Sequence, residues 1–474
     1  PYQQDGYQWL SALWDAGLGG ILADDMGLGK TMQVLATIGR AQERGELDDP
    51  VLVIAPTSVL GTWVGEAQRF APGLRVLARP RTSAKSAEPL ADAAAQADVV
   101  VTSYAVARID AERFAGVRWS ALVLDEAHSV KNHQSKTYRA IRALPRRVTF
   151  AVTGTPVENS LMDLWALLSL AAPGLYPRPD RFAAQWRRPI ERGDHERLAT
   201  LRRRVRPLML RRTKDEVALD LPPKTVQVLP VVLAPAHRRT YDRQLQRERQ
   251  RMLGLLEDPE ANRVAILASL TRLRQLALDP RLVADDTESS EPPGADSAKI
   301  EVLVEHLLEI GQEGHRALVF SQFTSFLALV GDRLRREGIG YGYLDGATAD
   351  RQRVVEDFRR GDDPVFLISL KAGGVGLTLT EADYVFVLDP WWNPAAESQA
   401  IDRAHRIGQE RPVVVYRMVS ADTIEDKVVA LQDRKRDLVA RVVDDDPLTA
   451  GVSADDLVAL LDPPDQVTGS AVRR

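Results

Sequence analysis

Cysteine is absent from the 474 residues, which excludes disulfides and thiolate zinc sites and fits an intracellular setting. The seven histidines are scattered, and none pairs with another at the helical spacing a metal site uses. No apolar run approaches the roughly 20 residues needed to span a bilayer, and no signal peptide is expected. A strong charge of one sign is missing too. Lys and Arg number 62 against 66 Asp and Glu, a net charge of −4, so the average gives no sign of a polyanionic partner. The distribution does: residues 178–251 carry 20 basic against 9 acidic side chains. Beyond residue 433 the balance turns acidic, with Asp444-Asp445-Asp446 and Asp455-Asp456.

The length predicts about three domains of ordinary size. An apolar fraction of 45% and a charged fraction of 27% are those of a globular protein. Short apolar runs at 20–23, 51–55, 98–102, 121–124 and 148–152 alternate with segments of helical spacing. That alternation predicts a doubly wound, mostly parallel sheet. It restarts at 317–320, 341–344, 365–368, 384–388 and 413–419, so the fold class is α/β with two lobes. Between them lie Arg-rich helical segments reaching about residue 277. Residues 285–298, acidic and rich in Ser, Pro and Gly, read as a hinge linker. After Thr423 a charged helical stretch leaves the second lobe. The first residue is Pro1, so the chain reads as a fragment of a longer protein.

Asp24-Asp25-Met26-Gly27-Leu28-Gly29-Lys30-Thr31 follows a strand and opens a helix expected over 31–40, the setting of a phosphate-binding loop. Gly27 and Gly29 permit tight curvature, which turns successive N–H groups and the helix N-terminus toward phosphates. Lys30 would reach the β- and γ-phosphates and the Thr31 hydroxyl would hold Mg²⁺. Asp24 stands where the strict pattern has its first Gly. The bland alternative, a glycine turn without a ligand, does not account for Gly-Lys-Thr in this context. Asp125-Glu126 ends another strand. Burying two like charges is unfavourable without a purpose, and one carboxylate can hold Mg²⁺ while its neighbour orients or deprotonates water. By itself the pair would equally serve as a helix N-cap. Thr153-Gly154-Thr155-Pro156 alone reads as a turn. Arg403 and Arg406, three apart on a helix expected to start near Pro394, would share a face; surface ion pairs with Asp402 or Glu397 are the alternative to fingers on transition-state charge.

These motifs, in order, resemble those of the Swi/Snf-type family of DNA-dependent ATPases within helicase superfamily two, and the likeness runs from Pro1 to about Val443. Pro1-Tyr2-Gln3 with Gly6 and Trp9-Leu10 is similar to the family's adenine-sensing entry motif, which makes Gln3 the adenine contact. The family tolerates Asp at the first loop position, and Asp25 replaces its more usual Glu. Pro56 to Leu60 with Trp63, and Thr102-Ser103-Tyr104, resemble strand-tracking motifs; Leu208 to Lys214 resembles a block characteristic of the family. Ser321-Gln322, Leu344-Asp345-Gly346 with Thr348, Ser369 to Leu377, Asp389-Pro390-Trp391-Trp392-Asn393-Pro394 and Gln399 to Gln409 complete the set. Thr378 departs from the family's frequent Asn.

The resemblance implies two RecA-like lobes, at 1–157 and 299–422. Basic helical insertions would fill 158–284, and a brace helix with an acidic tail 423–474. It implies ATP and Mg²⁺ as cofactors, with Gln3, Asp25, Met26, Gly27, Leu28, Gly29, Lys30, Thr31, Gly374 and Gln399 around the nucleotide and Thr31 and Asp125 on the metal. Lys30, Asp125, Glu126, Arg403 and Arg406 would be catalytic. Double-stranded DNA would meet Pro56, Ser58, Thr102, Ser103, Arg211, Arg212, Lys214, Ser321, Gln322, Lys371, Gly373 and Trp392. Arg202 to Arg206 read equally well as a solvated helical face, and Trp63, Trp391 and Trp392 more as core or lobe-interface aromatics than as base-stacking platforms. The expected activity is ATP-driven translocation on duplex DNA by a monomer that remodels DNA-bound complexes such as RNA polymerase. A strand-separating helicase and an ATP-gated DNA clamp are the alternatives. Ten Lys against fifty-two Arg, with abundant Ala, suggest a GC-rich bacterial genome and a cytoplasmic, nucleoid-associated protein.

Overall fold

Runs of Val, Ile and Leu bounded by turn residues become strands in both halves of the chain. A computed structural model describes residues 1–430 apart from 87, 158–159, 219, 256–261, 287–296, 374–376 and 392–393. Those residues group into one unit of Pro1–Leu221 with Arg406–Gly408 and a second of Pro222–His405 continuing from Gln409.

The first unit is built on β1 (Gly20–Leu22), β2 (Val51–Ala55), β3 (Val76–Arg79), β4 (Val99–Ser103), β5 (Trp119–Asp125), β6 (Arg146–Val152) and β7 (Met209–Leu210). Their order is β3-β4-β2-β5-β6-β1-β7. Every pairing is parallel, so all carboxyl ends share one edge, where ligands of open α/β sheets collect. Register makes this concrete. Val152 pairs with Leu22 on one side and with Asp125 on the other, so the phosphate loop after β1 and the carboxylates ending β5 start level. Helices α1 (Tyr2–Asp15), α2 (Lys30–Glu43) and α3 (Leu60–Phe70) belong to this unit. The apolar helix Leu161–Ala171 covers one face of the sheet, packing Trp165 and Leu168 into a core with Ile21, Ile54 and Leu122.

The second unit carries β8 (Lys224–Val231), β9 (Ala317–Ser321), β10 (Tyr341–Leu344), β11 (Val365–Ser369), β12 (Tyr384–Val387) and β13 (Val413–Ser420). They run in the order β10-β11-β9-β12-β13-β8, again all parallel. Alternate residues enter separate cores: Ala317, Val319, Val365 and Leu367 in one, Leu318, Phe320, Phe366 and Ile368 in the other. A sheet buried on both faces needs apolar residues at successive positions, and the run Ala317-Leu318-Val319-Phe320 supplies them.

Three strands, β3, β7 and β8, go beyond those expected from apolar runs. β3 is half exposed, β7 has two residues, and β8 is an edge strand that contains Pro230 and exposes Val226 and Val228. Such edges lack the apolar signature of central strands. The segment 158–284 thus adds β7 to the first sheet and β8 to the second. Most of the expected linker, 287–296, and everything beyond 430 lie outside the described residues; 424–430 are helical. Among the described residues no helix is long and apolar enough to cross a membrane.

A buried ion pair anchors that last helix. Lys299 Nζ lies 2.6 Å from Glu425 Oε2 and also donates to the carbonyls of Leu388 (2.8 Å) and Met418 (3.2 Å). Removing one member of such a pair strands the other charge at a cost of about 3–5 kcal/mol, whereas replacing both with apolar residues is often near neutral. Glu425→Ala is therefore expected to lose that much in equilibrium urea unfolding, and Lys299→Met/Glu425→Leu far less. Equal losses would remove the pair from the account.

Candidate nucleotide-binding site

The phosphate loop takes its shape from two glycines in the left-handed region, Gly27 at φ 86° and Gly29 at φ 74°, where a side chain would be strained. Gly29 also caps α2, which starts at Lys30, so the helix N-terminus opens onto the loop. A Cβ at Gly29 would stand 2.5 Å from Gln3 Nε2, and both Gln3 Nε2 and the Tyr2 hydroxyl donate to the Leu28 carbonyl at 3.2 Å. The entry helix therefore rests on the loop through the residue expected to meet adenine. Lys30 Nζ donates to the carbonyls of Asp24 (2.7 Å) and Asp25 (3.0 Å). Burial pushes its ammonium below the ordinary value, against the pull of Glu126 and Asp125.

Asp24 is fully buried, and its partner explains the departure from glycine. Arg212 grips the carboxylate with both arms of its guanidinium, Nε to Oδ1 at 3.0 Å and Nη2 to Oδ2. The same group donates to Gln33 Oε1 at 2.9 Å and to the Tyr2 carbonyl. Backbone bonds reinforce it: Ala23 N to Leu210 O at 2.7 Å and Asp25 N to Arg212 O at 2.9 Å. Lys214 N donates to Asp25 Oδ2 at 3.1 Å. The block assigned to the polymer thus lies along β1 and the loop, with Arg212 turned inward, Lys214 buried and Arg211 half-buried.

Asp125 and Glu126 end β5. Glu126 sits at φ 49°, a left-handed conformation uncommon for a side-chain-bearing residue and typical of functional turns. Its Oε2 is 3.3 Å from His128 Nδ1. Asp125 Oδ1 accepts the Glu126 N–H at 3.0 Å, and Oδ2 accepts the indole N–H of buried Trp63 at 2.8 Å. Burial, then the Glu126 charge, pushes the Asp125 carboxyl up to about 6. At the end of β6, between β5 and β1, Gly154 packs against Met26, and the Thr155 carbonyl accepts from Lys131 Nζ at 2.5 Å. The Thr31 hydroxyl and Asp125 carboxylate are the hard oxygen donors Mg²⁺ takes, and two protein ligands suit an ion whose other partners are phosphates and waters. The donor set fits the ion.

The other expected polymer contacts are placed as follows. Pro56 and Ser58 are half-buried in the turn after β2. Thr102 is buried with its hydroxyl on the Arg79 carbonyl (2.8 Å), and buried Ser103 caps the next helix through Val106 N (3.2 Å). In the second unit Ser321 Oγ (2.5 Å) and Gln322 Nε2 (2.5 Å) both donate to buried Asp389. Arg274, which sequence reasoning missed within an Arg-rich helix, lies 3.2 Å from Gln322 Oε1 and donates to the Pro390 carbonyl. Lys371 and Gly373 fall in the short helix Leu370–Gly373 after β11. Gly374 and Trp392 lie outside the described residues, and Gln399 is buried. One expectation is corrected. The helix Pro394–Ile401 stops before Arg403 and Arg406, so they share no helical face. Past Ile401 the ladder becomes mixed, with i−3 bonds from Arg403 N to Ala400 O and Ala404 N to Ile401 O beside one i−4 bond from His405 N to Ile401 O. Arg403 is buried and donates to the Leu377 carbonyl at 3.2 Å.

The model of the SNF2-related domain matches residues 2–282, and that of the helicase conserved C-terminal domain residues 298–408. The putative ATP-dependent helicase/translocase YwqA of Bacillus subtilis (strain 168) is 37% identical over 466 residues, covering 97% of this chain and 50% of that protein. The human SWI/SNF-related matrix-associated actin-dependent regulator of chromatin subfamily A member 1 is 34% identical over 454 residues, covering 93% and 43%. The solved Sulfolobus solfataricus SWI2/SNF2 ATPase core in complex with dsDNA is 30% identical, covers 98% of this chain and 97% of its own, and has a TM-score of 0.47. The chain spans about half the length of the curated relatives it matches.

The raised Asp125 carboxyl has a measurable sign. Between the unfolded value near 4 and about 6, the folded state holds a proton that the unfolded chain releases, so stability falls as pH rises through this window. Asp125→Asn removes that penalty. Thermal unfolding without nucleotide is expected to show a gain of roughly 2–4 °C per kcal/mol relieved at pH 8 and little gain at pH 4. The same gain at both would show that Asp125 is ionised throughout.

Proposed function

The chain belongs to the SNF2-related family, and on that premise we propose that it is an ATP-driven, DNA-dependent motor that translocates on duplex DNA and remodels complexes bound to it. The observation that carries the reading is the convergence of the glycine loop and Asp125-Glu126 at level strand ends of one parallel sheet. A binding module needs the loop alone; only a hydrolase needs the carboxylate pair beside it. Relatives named a helicase/translocase and a regulator of chromatin, together with the basic stretch 178–251, favour DNA as the polymer, met through phosphates and without sequence readout.

In this reading the loop N–H groups and the α2 N-terminus cradle the phosphates. Lys30 would leave the Asp24 and Asp25 carbonyls for the β- and γ-phosphates, and Thr31 and Asp125 would hold the ion. Mg²⁺, when bound, supplies charge that neutralises the phosphate oxygens. Glu126 takes the proton of the attacking water, its strained backbone aiming the carboxylate at the γ-phosphate. Arg403 and Arg406 act on the transition-state charge when the lobes close.

The test is the ATPase rate with and without duplex DNA at stated salt. Wild-type protein is expected to be stimulated by duplex, and a rate indifferent to DNA would remove the motor. Glu126→Gln is expected to bind ATP and to turn over at least about a hundredfold more slowly, since general-base assistance contributes roughly 10²–10⁴; wild-type hydrolysis would overturn the assignment. Arg406→Ala should lose DNA stimulation while holding nucleotide affinity within several-fold. Retained stimulation would make that arginine structural.

A further inference from the structure

Helix α3 follows the turn of Pro56 and Ser58, and its resemblance was to polymer tracking, yet two of its side chains point elsewhere. Trp63 and Glu66 lie three apart, on one face. Trp63, 1% exposed, gives its indole N–H to Asp125 Oδ2 at 2.8 Å. The Glu66 carboxylate lies beside the Thr31 side chain, which opposes the rise that burial gives it. One helical face therefore reaches both residues assigned to the ion, although they stand on different strand-to-helix connections. Asp125 is held from a second direction as well: the hydroxyl of Tyr104, directly after Thr102-Ser103, donates to its backbone carbonyl at 2.7 Å.

The chemistry of these partners suits a supporting layer. A carboxylate oxygen accepts more than one hydrogen bond, so Oδ2 can take the indole proton and still face a cation. Because indole is a neutral donor, it fixes the rotation of the carboxylate without adding a positive charge that would compete with the metal. A carboxylate beside the Thr31 hydroxyl can accept its proton, which would leave the oxygen lone pairs to a cation. Partners of this kind commonly contribute 10–100-fold in metal affinity.

We propose that Trp63 and Glu66 are positioning residues for nucleotide-bound Mg²⁺, holding the Asp125 carboxylate and the Thr31 hydroxyl in the orientation the ion requires. The inference rests on the nucleotide-site reading above and deepens it. It also gives the turns at Pro56–Ser58 and Thr102–Ser103 a covalently short route to the ion, through Trp63 and Tyr104.

The experiment measures binding of a fluorescent ATP analogue with Mg²⁺ and with EDTA, and Mn²⁺ binding to the ADP complex by electron paramagnetic resonance. Neither readout needs turnover. Trp63→Phe keeps the ring packing and deletes the donor. It is expected to hold metal-free nucleotide affinity within about twofold and to lose about tenfold or more of the Mg²⁺-dependent gain. Glu66→Leu should lose in the same direction, with Glu66→Gln, which keeps an acceptor, restoring much of it. An unchanged Mg²⁺-dependent gain in a folded Trp63→Phe protein would make Trp63 a core aromatic and overturn the proposal. Should that variant fail to give a cooperative melt, the Glu66 pair decides: a gain unchanged in Glu66→Leu overturns it equally. Wild-type protein without any Mg²⁺-dependent gain would instead sink the nucleotide-site reading itself.

Discussion

Charges taken out of water at the carboxyl edge of one sheet are the constraint around which the first unit is organised. Asp24 is fully buried and Glu126 nearly so, and burial raises the Asp125 carboxyl while lowering the Lys30 ammonium. An unpaired charge in such a place costs several kcal/mol, so each group must be met by a donor or acceptor of suitable kind. Asp24 is met by a guanidinium 188 positions away in the chain. Asp125 is met by an indole and a backbone N–H, Lys30 by two carbonyls. Asp24 receives a guanidinium on both carboxylate oxygens, which suits a residue that shapes the loop. The hydrogen-bond donors on Asp125 are neutral, so neither of them competes with a cation for its charge.

The second unit applies the same logic without a phosphate loop. With both faces of its sheet buried, polar side chains concentrate at the strand ends, where Ser321, Gln322 and Arg274 converge on Asp389. Burial raises the Asp389 carboxyl while Arg274 opposes the rise. This network ties the ends of β9 and β12 to the helix Arg263–Leu278, so motif residues from distant parts of the chain are held as one polar cluster. Ser321 and Gln322 thereby fix the turns around them, with their own side chains turned toward Asp389.

How much of this was legible depends on range. Gly27, Gly29 and the helix after Lys30 are local backbone requirements, and the sequence states them outright. So are the central strands, whose apolar runs are dictated by burial on both faces. Edge strands β3 and β8 need burial on fewer sides and carry polar residues, which hides them from an apolar count. Arg212 could not be read as the partner of Asp24 from spacing, because the contact spans most of the first unit; the one signal was that a carboxylate replaced the first glycine and must be paired. The end of the helix before Arg403 was equally hidden. There the Arg403 carbonyl accepts the Leu379 N–H at 2.9 Å instead of continuing the helix, a tertiary contact that spacing does not reveal.

The disposition of aromatics bears on which kind of motor the geometry favours. Proteins that hold single strands offer exposed rings on which successive bases stack. Here Trp63 is buried with its N–H committed to Asp125, and Tyr104, 8% exposed, is committed to the same residue. Phe70 is an exposed ring among the described residues, 46% accessible, and the Arg69 guanidinium already lies over it at 5.0 Å. Aromatics that a single-strand binder would turn toward bases are here turned toward Asp125. That disposition is in keeping with the proposed motor on duplex DNA, whose contacts with its track would run through backbone phosphates rather than stacked bases.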